Sequence, residues 1–335
     1  MVQRLTQTCQ APVSPEEDFE QTGNRHNRRA MLTILSVKYG PAHLLKWNAD
    51  LCRALNPAAR YEWLAINNDA DGSFAPGQEL TVIPGVSVPP TVNLKDRGSA
   101  HHAAALMSGL QHVSGRYLLL LDQDFYVIRP DWIAQLLAYA GEHRLAFFGA
   151  VWHPRWSYQP RGFPSVHFML IDLEQVPATS LDFRPDMGGN RLDALISHPR
   201  LPLPPALRTL LQVGTFRDTG WRVRDHFRTS DLRSECLTPT FDRGAALREA
   251  HPLHRMTARL LPEHRRVVPA DPASFTERSF LRSVSEFAHQ RRWEEFFWQG
   301  EPFAFHLRSV GRRGAEADED HAELRRLIEQ YKTEV

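Results

Sequence analysis

The chain has 335 residues, ordinary hydrophobic content, and 40 Lys and Arg against 39 Asp and Glu, a net charge of +1. That length suits one large α/β domain or two smaller ones, and the balanced charge gives no general electrostatic case for nucleic acid or an anionic membrane as a partner. Cys9, Cys52 and Cys236 are odd in number, scattered and without a CxxC pair, and no apolar run reaches membrane-helix length, so a disulfide framework, a cysteine zinc site and a transmembrane segment are not expected, and a cytoplasmic setting is.

Residues 1–29 are polar and read as a flexible arm. A first strand follows at 31–37, broken by Gly40-Pro41. A helix at 43–55 carries Leu44, Leu45, Trp47, Leu51 and Leu55 at helical spacing and stops at Asn56-Pro57. Strands are predicted at 61–66 and 80–83, and a helix at 99–113. Residues 117–121 (YLLLL) are apolar without alternation, the pattern of a strand covered on both faces. They end on Asp122-Gln123-Asp124. Further on, a helix is expected at 130–140, strands at 145–151 and 166–172, and a proline-rich surface excursion at 177–209. Helical segments are expected at 207–213 and 218–226, a helix pair at 275–297, a short strand at 303–307 and an amphipathic helix at 316–331.

This alternation is an α/β pattern. Right-handed crossovers put the loops after the first, second and fourth strands on one edge. Those loops hold Lys38-Tyr39, Asn68-Asp69 and Asp122-Gln123-Asp124. Ligands of open α/β sheets collect outside the carboxyl ends of the strands. A turn there can aim both carboxylates at one Mg²⁺ or Mn²⁺, with a diphosphate supplying further oxygens. The competing reading is a turn with two solvated acids.

Taken in order, the segments 33–39 (TILSVKY), 64–69 (LAINND), 98–102 (GSAHH) and 118–124 (LLLLDQD) resemble glycosyltransferase family 2 proteins with the GT-A fold, over roughly residues 31–175. Val37-Lys38-Tyr39-Gly40 departs from that family's usual first turn, Asn67-Asn68-Asp69-Ala70 from its paired aspartates, and His101-His102 from its Arg-Asn pair. The resemblance implies a Rossmann-like, mostly parallel sheet flanked by helices, with a mainly helical C-terminal extension. Its expected divisions are a nucleotide-sugar-binding half at 30–175, an acceptor and catalytic half at 176–315 and a terminal helix at 316–335. It implies a metal-dependent, inverting glycosyltransferase using a nucleoside diphosphate-sugar, with UDP-sugar first, on a small-molecule, glycan or lipid-linked acceptor. Within the fold, a sugar nucleotidyltransferase is the alternative, although 36–42 has only one glycine. A non-catalytic nucleotide- or carbohydrate-binding protein is the alternative of another class.

By that resemblance, Ser36, Lys38, Tyr39, Asn68, Asp69 and Gly98 belong to the donor site, with Tyr39 able to stack on a base. Asp69 and Asn68 serve equally well as turn residues, and Lys38 as an exposed cation. His101 and His102 open a helix whose N-terminus suits a diphosphate or sugar, His102 being favoured. Asp122, Asp124 and His306 form the expected metal set, and Asp122 and Gln123 also meet the donor. His306 reads equally as a core histidine. Arg308, Arg312 and Arg313 would cover the diphosphate on a loop flanked by Gly311 and Gly314. Asp218 is the expected base that deprotonates the acceptor, or else a helix N-cap. Asp225, Asp182 and Asp186 stand in reserve. Trp152, His153, Trp156 and Tyr158 offer aromatic surface to an acceptor, or form a structural cluster.

Overall fold

The structure is a computed structural model that describes residues 31–69, 80–86, 97–153, 162–186, 218–240, 291, 293–308 and 314–333. Its centre is β1 (Leu32–Lys38), in which all seven residues are buried. Alternate side chains serve opposite faces: Leu32 and Ile34 join one apolar cluster, Leu35 and Val37 the other. Parallel partners flank it, β2 (Tyr61–Asn67) on one side and β4 (Tyr117–Leu121) on the other, with β3 (Thr81–Pro84) beyond β2. This half is the parallel sheet that the uninterrupted apolar runs predict.

Beyond β4 the sheet is mixed. The remaining strands are β5 (Phe125–Val127), β6 (Phe147–Ala150), β7 (Phe168–Asp172), β8 (Ser234–Pro239), β9 (Glu294–Trp298) and β10 (Glu301–His306). The order across the ten strands is β3-β2-β1-β4-β7-β6-β8-β9-β10-β5. β7 runs antiparallel to both β4 and β6, and β9 and β10 return antiparallel at the far side. The expected mostly parallel arrangement is therefore confined to the first four strands and the β6–β8 pair. Only Asp122, Gln123 and Asp124 separate β4 from β5, yet β5 is the last strand in the order, paired with β10. Three residues span little more than ~10 Å, so the sheet must curl until its far edge meets the end of β4.

Helices cover both faces. α1 (Ala42–Leu55), α3 (Trp132–Glu142) and the terminal α5 (Ala315–Thr333) bury Leu44, Leu45, Ile133, Leu136, Leu324 and Leu327 against one face. α2 (Arg97–Gly109) and the short α4 (Trp221–Phe227) place Ala103, Leu106, Val223 and Phe227 on the other. Asn56 ends α1: its amide donates to the Cys52 carbonyl at 2.7 Å and its Oδ1 accepts the Ile133 N–H, tying α1 to α3. The C-terminal helical extension is modest: after β10 the described residues form one helix, α5. Residues 294–297, expected as the end of a helix pair, lie instead in β9, whose five residues are buried between β8 and β10; positions 275–290 of that pair lie outside the described residues, as do the arm at 1–29, positions 187–209 of the excursion and the helical segment expected at 207–213. Among the described residues no helix is long and apolar enough to cross a membrane.

Candidate active site

Four strand ends and one helix start converge at one rim. β4 ends in the acidic turn, β7 begins after His167, β10 ends at His306 with Arg308 just beyond, and β9 begins at Glu294. The ladders align these residues. Leu121 pairs with Phe168, and the next step continues as Asp122 N–H to the His167 carbonyl at 2.9 Å. Glu294 stands opposite His306, and the Leu307 N–H donates to the Asp124 carbonyl at 3.0 Å. From α1, Asn48 donates its amide to the Phe125 carbonyl at 2.9 Å and holds the turn from below.

A cleft of about 510 Å³ opens here, lined by Val37, Tyr39, Asn68, Gly98, His101, His102, Asp122, Gln123, Asp124, His306 and Arg308. Asp122 Oδ2 lies 2.9 Å from His167 Nδ1 and 4.0 Å from His306 Nε2, and its Oδ1 lies 3.7 Å from His102 Nε2. Asp124, buried, approaches His306 Nε2 at 3.2 Å, and Glu294 Oε2 lies 3.4 Å from His306 Nδ1. One ligand atom each from Asp122, His167 and His306 falls within 4.8 Å of the other two, a spacing that could hold a metal ion.

The charges reinforce one another. Burial pushes the Asp122 carboxyl up, but the His167 hydrogen bond and the surrounding His167, His102 and His306 rings outweigh it and hold the group below the usual carboxylate range. Burial would lower His306, yet Asp124 above all, with Glu294, raises it to about 9. His167 goes the other way, to about 4, through burial and the Arg308 charge. Burial would also raise Glu294, but Arg308 and His306 keep it well below its ordinary value. Arg308 Nε donates to Glu294 Oε2 at 3.2 Å, its Nη2 reaches His167 Nε2 at 3.0 Å, and its guanidinium lies 4.4 Å over the Trp152 ring.

Several expected residues sit elsewhere or do other work. Ser36 does not line the cleft: it points into the sheet, where Oγ donates to the Leu121 carbonyl at 2.6 Å and accepts from Trp63 Nε1. Lys38 is buried rather than exposed, its ammonium paired with Asp69, whose other oxygen accepts the Gly40 N–H at 2.9 Å. The pair braces the ends of β1 and β2 behind the cleft wall. Gln123 brackets the Tyr39 backbone, accepting its N–H and donating to its carbonyl at 2.5 Å. Tyr39 is left 53% exposed over the cleft. Asn68 donates to the His101 carbonyl and accepts the Val86 N–H, linking β2 to α2. Both His101 and His102 reach the cleft, and His102 is the one beside Asp122.

Asp218 lies in an adjoining small pocket with Trp152, Thr219 and Trp221. Its Oδ1 accepts the Thr219 N–H at 2.7 Å, and Thr219 Oγ1 donates to the Ser99 carbonyl at the start of α2. Gly220, not Asp218, precedes α4, and no side chain caps it. Asp182 is paired with Arg184 and Arg222, and the Arg184 hydrogen bonds lower its carboxyl to about 2; Asp225 pairs with Arg228. Asp182, Asp186 and Asp225 line a separate hollow with Trp221. His153 is not among the residues lining the cleft: its Nε2 donates to the Thr240 carbonyl at 2.7 Å. Gly311, Arg312, Arg313, Trp156 and Tyr158 lie outside the described residues.

Sequence reasoning missed His167, Glu294 and Asn48. His167 heads the apolar run at 166–172, and Glu294 sits beside Glu295 ahead of Phe-Phe-Trp. Each is a polar residue in an otherwise buried strand, which was the available signal.

No curated protein matches the chain. Among solved structures, similarity is found to the mannosyltransferase PcManGT of Pyrobaculum calidifontis in complex with GDP-Man and Mn²⁺, at 16% identity and a TM-score of 0.32, covering 48% of this chain and 54% of that one. It is also found to the galactosyltransferase LgtC with donor and acceptor sugar analogues, at 14% identity and a TM-score of 0.31, covering 45% and 62%. An active-site mutant of LgtC aligns over 77% of this chain and 94% of its own, at 12% identity and a TM-score of 0.37. The chain thus spans little more than half the length of the first two, and at such TM-scores the likeness says nothing about chemistry. Residues 89–186, which carry α2, the Asp-Gln-Asp turn and His167, match the family described as Glycosyl transferase family 2, and over that segment the chain is glycosyl transferase family 2-like.

Proposed function

We propose that this chain is a metal-dependent glycosyltransferase that moves a sugar from a nucleoside diphosphate-sugar to an acceptor hydroxyl. The observation that carries the reading is the convergence of Asp122, Asp124, His306 and Arg308 with Tyr39, Asn68 and the start of α2 around one cleft. Carboxylate oxygens with an imidazole nitrogen suit Mn²⁺, and Mg²⁺ less well. A divalent cation held by Asp122, Asp124 and His306 would supply positive charge against the leaving diphosphate.

The chain's own groups do the rest. Tyr39, held by Gln123 and exposed above, offers a face to the base. Gly98 leaves the N-terminal turn of α2 open to the cleft, where helix N–H groups favour an anion. His102 and Arg308 both line the cleft. Asp69 is occupied by Lys38 and Gly40, so preference for uridine has lost its expected carboxylate, although uridine diphosphate remains the first donor to try. For inverting transfer Asp218 is the base, one pocket away past Trp152, while the Arg184 hydrogen bonds that lower Asp182 make that acid a poor proton acceptor.

Thermal-shift titration of uridine, guanosine, cytidine, adenosine and thymidine diphosphates, with and without Mn²⁺, tests the reading. One of them should stabilise the fold only with Mn²⁺, and the matching sugar nucleotide should be slowly hydrolysed. Asp124→Ala should abolish the Mn²⁺-dependent shift and leave a folded protein. No stabilisation by any nucleotide, or a metal dependence unchanged in Asp124→Ala, would sink it.

A further inference from the structure

His167 stands within the spacing of a metal ligand, but its hydrogen bonds assign it other work. The antiparallel β4–β7 ladder carries it to the position opposite Asp122, so the two side chains stand on one face of the sheet, side by side. A guanidinium can only donate. Arg308 Nη2 lies 3.0 Å from His167 Nε2, so Nε2 accepts. In a neutral imidazole the proton is then on Nδ1, which donates to Asp122 Oδ2 at 2.9 Å. Both ring nitrogens are thereby engaged. For Nδ1 to ligate a metal, its proton would have to move to Nε2, where it would meet an arginine N–H, donor against donor.

Arg308 is itself held in place. Its Nε donates to Glu294, and its guanidinium lies over Trp152, whose ring also meets His167 edge-on at 4.4 Å. We propose that His167 is a positioning residue for Asp122: fixed in the Nδ1–H form by Arg308, it ties up Asp122 Oδ2 and turns Oδ1 toward the cleft. The connection runs Glu294–Arg308–His167–Asp122 and joins β9, β10, β7 and β4. It makes the acidic turn depend on the arginine at the far edge of the sheet. This inference rests on the metal-dependent reading above for its metal arm only.

Two measurements on the full chain test it. In the metal-free protein, long-range proton–nitrogen spectra, with His167 assigned by its loss in His167→Asn, should show Nδ1 protonated and Nε2 bare; the opposite tautomer overturns the proposal. Mn²⁺ titration followed by electron paramagnetic resonance then compares variants. An asparagine amide places an N–H near the position of Nδ1, so His167→Asn should keep Mn²⁺ affinity within about threefold, whereas His167→Ala should lose about 10–100-fold, the usual cost of removing a group that orients a ligand. Equal losses in both variants, with nitrogen couplings from two imidazoles in the wild-type Mn²⁺ spectrum, would make His167 a ligand and overturn the proposal, as would unchanged affinity in His167→Ala. A wild-type chain that takes up no Mn²⁺ overturns the metal-dependent reading instead, and the tautomer alone then decides whether His167 positions Asp122.

Discussion

His306 is a single imidazole among three carboxylates, with Asp124 at 3.2 Å, Glu294 at 3.4 Å and Asp122 at 4.0 Å. A buried histidine that served packing alone would not need that company. His306→Ala is expected to weaken Mn²⁺ binding by at least about tenfold while the folded fraction persists; a large fall in melting temperature with unchanged affinity in what remains folded would return it to the core. Asp218 answers a different question, because it lies beside the cleft and not in it. Asp218→Asn keeps the shape and the Thr219 contact but cannot take a proton. Donor affinity should hold while turnover falls by roughly 10²–10⁴. Near-normal turnover would remove Asp218 from the chemistry, and equal loss of binding and turnover would make it part of the donor pocket.

The pairing of β4 with β7 is pinned at both ends by polar side chains. At the rim it is His167 with Asp122. At the other end Arg116 grips Asp172 with two hydrogen bonds, at 3.2 and 2.9 Å, and Gln175 and the Glu174 N–H add two more. Burial alone would raise the Asp172 carboxyl, but Arg116 and the other donors hold it below its ordinary value. Its folded pKa thus lies under the unfolded one of about 3.9, so the stabilisation is complete above that value and is lost as pH falls through the folded pKa. Asp172→Asn should cost about 1–2 kcal/mol near neutrality, the lower part of the range for a charged hydrogen bond because Arg116 is partly solvated. The gap to wild type in denaturant midpoint should shrink as the pH is taken below about 4. A gap that stays constant into acid would mean that charge is not what the pair contributes.

At the scale of the molecule, the site exists because the sheet curls until its β5 edge meets the end of β4. Phe303 is fully buried in β10 and meets Trp132 of α3, Phe168 beside His167, and Trp298 of β9. It joins the far edge of the sheet to the strand that carries His167. Phe303→Ala should cost about 3–5 kcal/mol of stability. It should also loosen the approach of β10 to the acidic turn, so that Mn²⁺ affinity falls in the folded protein although no ligand is changed. Wild-type affinity in a destabilised Phe303→Ala would show that β10 is held to the acidic turn by other contacts.

The local pattern was enough for the parallel half. The mostly apolar stretch at 31–37 and the unbroken one at 117–121 read as buried strands, helical spacing marked α1 and α3, and an acidic turn at a strand's carboxyl end marked the rim. Those signals lie within one element or its nearest neighbour, so they can be read from composition and period. Ser36 and Lys38 were misplaced because the same strand end can aim a side chain inward or outward, and only the packing of Trp63 and Asp69 against them decides which. His167 and Glu294 were missed for a related reason. Each is a polar residue at the start of a buried strand, and its meaning depends on a partner on another strand's end, Asp122 or Arg308, brought near by antiparallel pairing. Register depends on how strands pair, which no single strand's pattern contains, so the three-dimensional structure alone added His167 to His102 and His306 around the acidic turn.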